Sequence, residues 1–148
     1  MTQEALTPVL RLLRAAALAE QRLTAALSCA HGLSLPEATL LMHLEAEPTR
    51  RLTRIELSRR MHLSASTVTR MAAPMEKIGL VGRESDPRDA RLAFVTLTEA
   101  GAERVGDVRT TLAARAADLF DADWTAEEIA AFSGGLGRFL EGVRGELV

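Results

Sequence analysis

Apolar residues recur at helical spacing along most of the chain, which predicts a mainly α-helical protein. The first helix opens at Thr7-Pro8 and keeps this pattern to about Cys29, with apolar side chains on more than one face. A helix alone at a protein surface is apolar on one face only, so this one is expected to pack against two partners. Ser or Thr followed three residues later by Glu is the capping box that begins a helix. It occurs at Ser34, Thr53 and Thr125.

Two short extended runs interrupt the helical pattern and predict a β-hairpin. Residues 81–84 and 92–97 form these runs, and a polar turn with one proline, residues 85–90, lies between them. The helix before the hairpin begins at Ser64 and ends at Gly79 in the manner of a Schellman motif, and the next helix begins at Thr98. The pattern therefore predicts a single, mainly α domain over residues 1–148 with a small β-hairpin.

Residues 53–60 and 64–78 form two helices joined by a short turn, which is the spacing of a helix-turn-helix. One face of the second helix is apolar and is expected to be buried; it consists of Val68, Met71, Ala72, Met75 and Ile78. The opposite face carries Ser66, Arg70, Ala73 and Lys77, with Thr67 and Thr69 on its flanks. Short polar and basic side chains suit the major groove of DNA, whose base edges and phosphates they can reach. The alternative is a solvated face, but such faces usually carry Glu and Lys rather than Ser, Thr and Arg.

The charge is distributed unevenly, and this changes what the composition implies about partners. The whole chain has a net charge of −2 and a pI near 5.9, which by themselves argue against a nucleic-acid partner. Between Arg50 and Arg91, however, Lys and Arg outnumber Asp and Glu by ten to five, so a basic middle lies between acidic ends. This asymmetry favours a polyanionic partner for the middle segment alone.

The composition also argues against several classes of protein. The single cysteine, Cys29, can form neither an internal disulfide nor a four-cysteine zinc site, and we predict no metal and no cofactor. No apolar run reaches the length of a membrane span and no secretory signal is visible, so we expect a cytoplasmic protein without a membrane partner. The sequence contains no Gly-x-Ser-x-Gly, Walker-loop or His-Glu-x-x-His motif, so we expect no enzyme.

Five runs along the middle of the chain form an ordered series: LTRIELS (52–58), LSASTVTR (63–70), MEKIGLVGR (75–83), DPRDAR (86–91) and VTLTEAG (95–101). In this order they resemble MarR-type winged-helix transcriptional regulators. The resemblance implies a winged helix-turn-helix lobe over residues 34–98 and a helical dimerisation region made of residues 1–33 and 99–148. Pro74 departs from the family pattern, because it removes the bond to the Arg70 carbonyl and is expected to kink the recognition helix.

The resemblance also implies a homodimer that regulates transcription by binding a pseudo-palindromic DNA operator, as a ligand-responsive repressor. The helix from Ser64 would lie in the major groove, Arg91 in the hairpin would enter the minor groove, and Asp89 would orient the Arg91 guanidinium. The residues expected to contact DNA are Thr53, Arg54, Ser64, Ser66, Thr67, Thr69, Arg70, Lys77, Arg83, Arg88, Asp89 and Arg91.

Members of the family commonly bind a small-molecule effector between the dimerisation helices and the winged lobe. Arg14, Met42 and His43 are the candidate lining residues here. Cys29, alone on the first helix, resembles the redox cysteine of the peroxide-sensing branch, but this chain has no tyrosine to hold a thiolate. A buried, apolar Cys29 is therefore predicted. The alternatives are a winged-helix module for protein–protein contact and a redox-sensing regulator that uses Cys29.

Overall fold

The computed structural model describes residues 2–120, 123–143 and 147, and in them it contains six α-helices and three short β-strands. The elements in chain order are α1 (Thr2–His31), α2 (Leu35–Ala46), β1 (Arg51–Thr53), α3 (Arg54–Met61), α4 (Ala65–Lys77), β2 (Val81–Ser85), β3 (Ala93–Leu97), α5 (Glu99–Ala117) and α6 (Ala126–Leu140). The predicted fold class, mainly α with a small β-hairpin, is confirmed. No helix in the described ranges is both long and apolar enough to cross a membrane.

The helix starts that the sequence predicted from capping residues are confirmed for α2 to α6. Ser34, Thr53 and Thr125 each accept a hydrogen bond from the backbone N–H three residues later, and the glutamate there accepts one from the cap N–H. Ser64 and Thr98 also accept from the backbone three residues on and so cap α4 and α5. These bonds satisfy N–H groups that the first turn of a helix leaves unpaired, so neighbouring residues suffice to place them.

The end of α4 is the predicted Schellman motif. Gly79 adopts a φ of +80°, a left-handed conformation that glycine reaches without strain. The Leu80 N–H donates to the Met75 carbonyl at 3.0 Å, and the Gly79 N–H donates to the Glu76 carbonyl at 3.1 Å. The helix also runs through Pro74 to Lys77 without a break. The chain therefore leaves α4 in a defined direction and enters β2 directly.

The first helix begins earlier than predicted. α1 starts at Thr2 and continues through Pro8, so the predicted start at Thr7-Pro8 is wrong. Proline removes one backbone hydrogen bond, and a helix of 30 residues retains enough others to continue past it. The predicted packing against two partners is confirmed, because α1 contacts α2 and α5. Leu27, which is fully buried, lies in the C-terminal part of the helix.

A three-stranded antiparallel sheet replaces the two-stranded hairpin that the sequence predicted. Strands β2 and β3 form the predicted hairpin, and β1 pairs with the other edge of β3, in the order β1-β3-β2. Leu52, at the centre of β1, lies opposite Val95 and is buried. β1 has only three residues, too few to show an alternating pattern. Its conformation depends on the neighbouring strand, which the local sequence does not reveal.

The core of the described chain surrounds α2, in which Leu40, Leu41 and Leu44 are completely buried. Val68, Ala72 and Met75 bury the predicted face of α4, and Met71 is half-buried at its edge. The prediction that Ile78 belongs to this face is wrong, because its side chain is 64% exposed. Ile78 is the C-cap of α4, where the backbone departs from helical geometry and the helical projection no longer applies.

The helical ends of the chain leave apolar side chains exposed. None of the residues of α6 is buried, although its predicted apolar stripe is present. Phe132 packs edge-on against Phe120 and Trp124, with ring centroids 6.2 Å and 5.8 Å away. A groove of about 820 Å³ lies between α6 and the N-terminal half of α1, and its lining is mostly apolar. The exposed apolar residues of α1 and α6 are Leu6, Val9, Leu10, Leu13, Leu18, Phe132, Phe139 and Leu140.

Candidate nucleic-acid interface

The predicted helix-turn-helix is formed by α3 and α4. His62 ends α3 in the left-handed conformation, with a φ of +54°, and its side chain is exposed. The Leu63 N–H donates to the Ser58 carbonyl at 3.0 Å, which closes the turn, and Ser64 then caps α4. The turn between the helices is therefore held by backbone bonds and by one cap.

The outward face of α4 begins with a network of hydroxyl groups. The Ser64 hydroxyl lies 3.0 Å from that of Ser66 and 2.8 Å from that of Thr67. The Arg70 guanidinium donates to the Thr67 hydroxyl at 3.3 Å. Ser66, Arg70 and Lys77 are exposed, as the sequence predicted. This face therefore presents two cations and several short polar groups to solvent.

Thr53 and Arg54 are adjacent at the start of α3 but form hydrogen bonds with different parts of the structure. The Thr53 hydroxyl lies 2.9 Å from the Glu56 carboxylate and serves the helix cap. Arg54 instead reaches across to α4, where its Nη1 donates to the Thr69 hydroxyl at 3.1 Å. The Thr69 hydroxyl in turn donates to the Ala65 carbonyl at 3.0 Å. α3 and α4 are thus joined by a side-chain bond on the exposed side of the helix-turn-helix.

Two ion pairs attach the hairpin to its surroundings. Arg83 of β2 donates to Glu76 of α4 at 3.3 Å. Arg51 of β1 donates to Glu84 of β2 at 3.3 Å, and its guanidinium lies 4.5 Å from the ring centre of Phe94. Arg51 carries no signal in the sequence, because its partners become neighbours only through the unpredicted strand β1. These contacts hold the hairpin beside α4.

The hairpin tip is organised by two aspartates. Asp86 Oδ1 accepts from the backbone N–H of Arg88 at 2.7 Å and from that of Asp89 at 3.3 Å. Asp89 Oδ1 accepts from the backbone N–H of Arg91 at 3.0 Å. The carboxylate thus contacts the backbone of Arg91 and not its guanidinium, as in an Asx turn. The side chains of Arg88, Asp89 and Arg91 are all exposed.

The structure separates the three predicted effector-pocket residues. Arg14 is exposed on α1, and Met42 is buried in the core. His43 lines a cavity of about 400 Å³ between α1, α2 and α3, and neither Arg14 nor Met42 is among its lining residues. Met42 and His43 are consecutive on α2, so their side chains point in different directions. The lining residues are Glu20, Leu35, Pro36, Thr39, His43, Arg60, Met61 and Leu63.

His43 is a titratable residue in a buried environment. Its side chain is 4% exposed, and its buried Nδ1 has no hydrogen-bond partner in the described part of the chain. Burial, and secondarily the positive charge of Arg60, lower the pKa of His43 below 6.5. Arg60 is itself paired with Glu47 at 2.6 Å. His43 is therefore favoured as a neutral ring.

The prediction that Cys29 is buried is wrong. Its side chain is exposed, because it lies two residues after Leu27 and thus on nearly the opposite side of α1 from the core. Within the described ranges, no three His, Cys, Asp or Glu side chains lie close enough together to hold a metal ion.

Comparison with known proteins agrees with this arrangement. The sequence model of the MarR family matches residues 31–92. The uncharacterized HTH-type transcriptional regulator YsmB of Bacillus subtilis is 38% identical over 77 residues, which are 52% of this chain and 52% of YsmB. The chain thus spans about half the length of this curated relative.

Two solved structures from Streptomyces coelicolor resemble nearly the whole chain. Sco3205, a MarR family transcriptional regulator in complex with DNA, is 26% identical, and the match covers 97% of this chain and 90% of Sco3205 with a TM-score of 0.82. AbsC, another MarR family transcriptional regulator, is 24% identical over 99% of this chain and 98% of AbsC, with a TM-score of 0.79, and it shares the fold. The family is one of transcriptional regulators and not of enzymes. The helix-turn-helix and the first strand and tip of the hairpin lie within the segment that matches the MarR family, and the whole fold resembles that of MarR family transcriptional regulators.

Proposed function

We propose that the protein is a sequence-specific, homodimeric DNA-binding regulator that represses transcription from a pseudo-palindromic operator and responds to a small molecule. Residues 34–98 would form the DNA-binding lobe, and residues 1–33 and 99–148 the dimerisation region. The alternative of a winged-helix module for protein–protein contact has less support, because the outward face of α4 carries Arg70, Lys77 and hydroxyl groups rather than large apolar side chains.

The observation that carries the DNA proposal is the convergence of cationic side chains around α4. Arg54, from α3, and Arg83, from β2, line one small cleft against α4. Arg70 and Lys77 are exposed along α4, and Arg91 is exposed in the hairpin. An exposed helix flanked by a basic hairpin supports major-groove docking of α4, with the hairpin reaching phosphates or the minor groove. The similar protein Sco3205 was solved in complex with DNA, which supports DNA as the partner of this chain.

The dimer proposal is supported by the exposed apolar residues of α1 and α6. A second copy of the chain, with the same two helices, would bury these side chains across a two-fold axis. An obligate interface of this kind buries roughly 2,000 Å² or more in total. Light scattering at micromolar concentration should therefore give the mass of a dimer.

A matched pair of substitutions tests where this interface lies. Phe139 on α6 is 67% exposed in the chain, and Ile78 in the lobe is 64% exposed. Phe139→Glu should yield a monomer, because it places a charge in the proposed interface. Ile78→Glu should leave the dimer intact. A monomeric wild-type protein, or a dimer that Ile78→Glu dissociates and Phe139→Glu does not, would contradict the proposal.

The effector proposal is supported by the cavity at His43. The neutral His43 ring and the Arg60 guanidinium, which also pairs with Glu47, both line this cavity, so it suits a small polar molecule. A molecule that binds there would contact α1, α2 and α3 together and could alter how the lobe sits on the helical region. Mass spectrometry of the purified protein under native conditions is the direct search for such a molecule.

The DNA proposal is tested by fluorescence-anisotropy titration with two duplexes at two salt concentrations. One duplex is selected by the wild-type protein from a random-sequence pool, and the other is a scrambled version of it. Wild-type protein should prefer the selected duplex, and its affinity for both should fall as salt rises. Arg91→Ala should weaken binding to both by about 1–3 kcal/mol and reduce the salt dependence. Arg115→Ala removes the same charge from the far end of α5, and it should change neither the affinity nor the salt dependence.

Asp89→Ala distinguishes two hypotheses, one in which DNA binding depends on the shape of the hairpin turn and one in which it depends only on positive charge. A simple patch would bind DNA more tightly once this negative charge is removed. The Asp89 carboxylate, however, holds the backbone of Arg91, so its loss should loosen the turn and weaken binding. Tighter binding of Asp89→Ala to both duplexes would refute the role assigned to the hairpin.

A further inference from the structure

Arg54 and Thr69 were both predicted to contact DNA, and their geometry gives them different roles. A threonine hydroxyl has one hydrogen atom, and that of Thr69 is directed to the Ala65 carbonyl at 3.0 Å. The same oxygen accepts the N–H of Arg54 at 3.1 Å. The Thr69 side chain is half-buried, whereas Arg54 is exposed. The Thr69 hydroxyl is therefore hydrogen-bonded within the protein, and the Arg54 guanidinium beside it faces solvent.

Arg54 also differs electrostatically from its neighbour in the same cleft. Arg83 is paired with Glu76 at 3.3 Å, so its charge is largely balanced. The partner of Arg54 is a neutral hydroxyl, and none of the ion pairs found among the described residues includes it. Its charge is thus available to an anion, and its guanidinium carries further N–H groups that can donate to one.

We propose that Thr69 is a positioning residue, which holds the Arg54 guanidinium ready to contact a phosphate of the DNA backbone and does not itself read a base. This proposal rests on the DNA-binding function proposed above. A long arginine side chain that is already held in place loses less rotamer freedom when it binds phosphate. The bond also joins α3 to α4, so the phosphate contact and the helix in the major groove would keep a constant spacing.

The test combines four variants of the chain and one control variant with the selected and scrambled duplexes described above. Thr69→Val removes the hydroxyl and keeps the branched shape, and Thr69→Ser keeps the hydroxyl. Arg54→Ala removes the proposed phosphate contact, and the double variant combines it with Thr69→Val. Thr110→Val is the control, because the Thr110 hydroxyl donates to the carbonyl four residues earlier in α5, as that of Thr69 does in α4, but has no arginine partner.

We expect Thr69→Val to weaken binding to both duplexes by about threefold per lobe, or about tenfold in a two-lobed dimer, as is typical for one lost hydrogen bond. It should also reduce the salt dependence, as Arg54→Ala does, whereas Thr69→Ser and Thr110→Val should bind like wild type. In the Arg54→Ala protein, Thr69→Val should have no further effect.

Three results would overturn this inference while leaving the DNA-binding function intact. One is wild-type affinity in Thr69→Val, and another is a loss confined to the selected duplex, which would indicate base reading. The third is a loss of the same size in the Arg54→Ala background. If the wild-type protein binds neither duplex, the proposed function itself fails. Thermal unfolding of each variant verifies that the protein is folded.

Discussion

Gly101 allows a direct test of how α5 is joined to the winged lobe. A Cβ atom added at Gly101 would lie 2.1 Å from the Leu80 carbonyl oxygen and 2.7 Å from Leu97 Cδ1. The Leu80 carbonyl cannot move freely, because it accepts a hydrogen bond from the backbone N–H of Thr98 at 3.2 Å. The Thr98 hydroxyl also lies 3.0 Å from it, although its one hydrogen has a closer acceptor in the Gly79 carbonyl at 2.6 Å. Gly101→Ala must therefore displace α5 from the segment that joins α4 to β2.

The size of the effect follows from these contacts. The carbonyl and the new methyl group must separate by about 1 Å, and overpacking of this kind costs about 1–3 kcal/mol. Weakening the hydrogen bond from the Thr98 N–H adds about 1 kcal/mol. The greater helix propensity of alanine returns about 1 kcal/mol. We therefore expect Gly101→Ala to lower the free energy of unfolding by about 1–3 kcal/mol.

Gly106 in the same helix is the matched control. A Cβ atom there would meet no atom within 4 Å, so Gly106→Ala should stabilise the protein by about 0.5–1 kcal/mol through helix propensity alone. Urea denaturation at one protomer concentration measures both variants, since the stability of a dimer depends on concentration. If Gly101→Ala is as stable as wild type, or is stabilised like Gly106→Ala, the reasoning from the close contact is refuted.

Three further predictions concern charge, protonation and oxidation. Glu76→Gln should bind both duplexes about twofold more tightly per lobe, because it removes a negative charge and releases Arg83, and fluorescence anisotropy that shows weaker binding would contradict this. His43 has a lowered pKa in the folded protein, so the unfolded chain takes up the proton first and stability falls as the pH drops below 6.5. Between about pH 7.5 and 5.5, urea denaturation should show a smaller loss of unfolding free energy for His43→Leu than for wild type. Equal losses would refute the lowered pKa of His43. Cys29 is exposed on the side of α1 opposite Leu27, so its oxidation should leave the core packing unchanged. Cys29→Ser should therefore bind DNA like wild type before and after peroxide treatment. A peroxide response of the wild type that the substitution abolishes would establish a redox switch.

The predictions that succeeded depend on residues within a few positions of each other. The capping bonds of Ser34, Thr53 and Thr125 join residues three apart, so the sequence alone places those helix starts. The hydroxyl-rich, basic face of α4 follows in the same way from helical spacing. Ile78 was assigned wrongly because the projection was continued beyond the end of the helix.

The tertiary structure decided the features that join distant parts of the chain. β1 is a strand only because β3 lies beside it, and Arg51 meets Glu84 only through that sheet. Arg54 and Thr69 are 15 residues apart, and their bond depends on the angle between α3 and α4. Cys29 could not be placed from composition, because the side of α1 that faces the core is set by α2 and α5. Local hydrogen bonds are encoded by neighbouring residues, whereas the pairing of charges, the exposure of a thiol and the shape of a cavity depend on how whole elements pack.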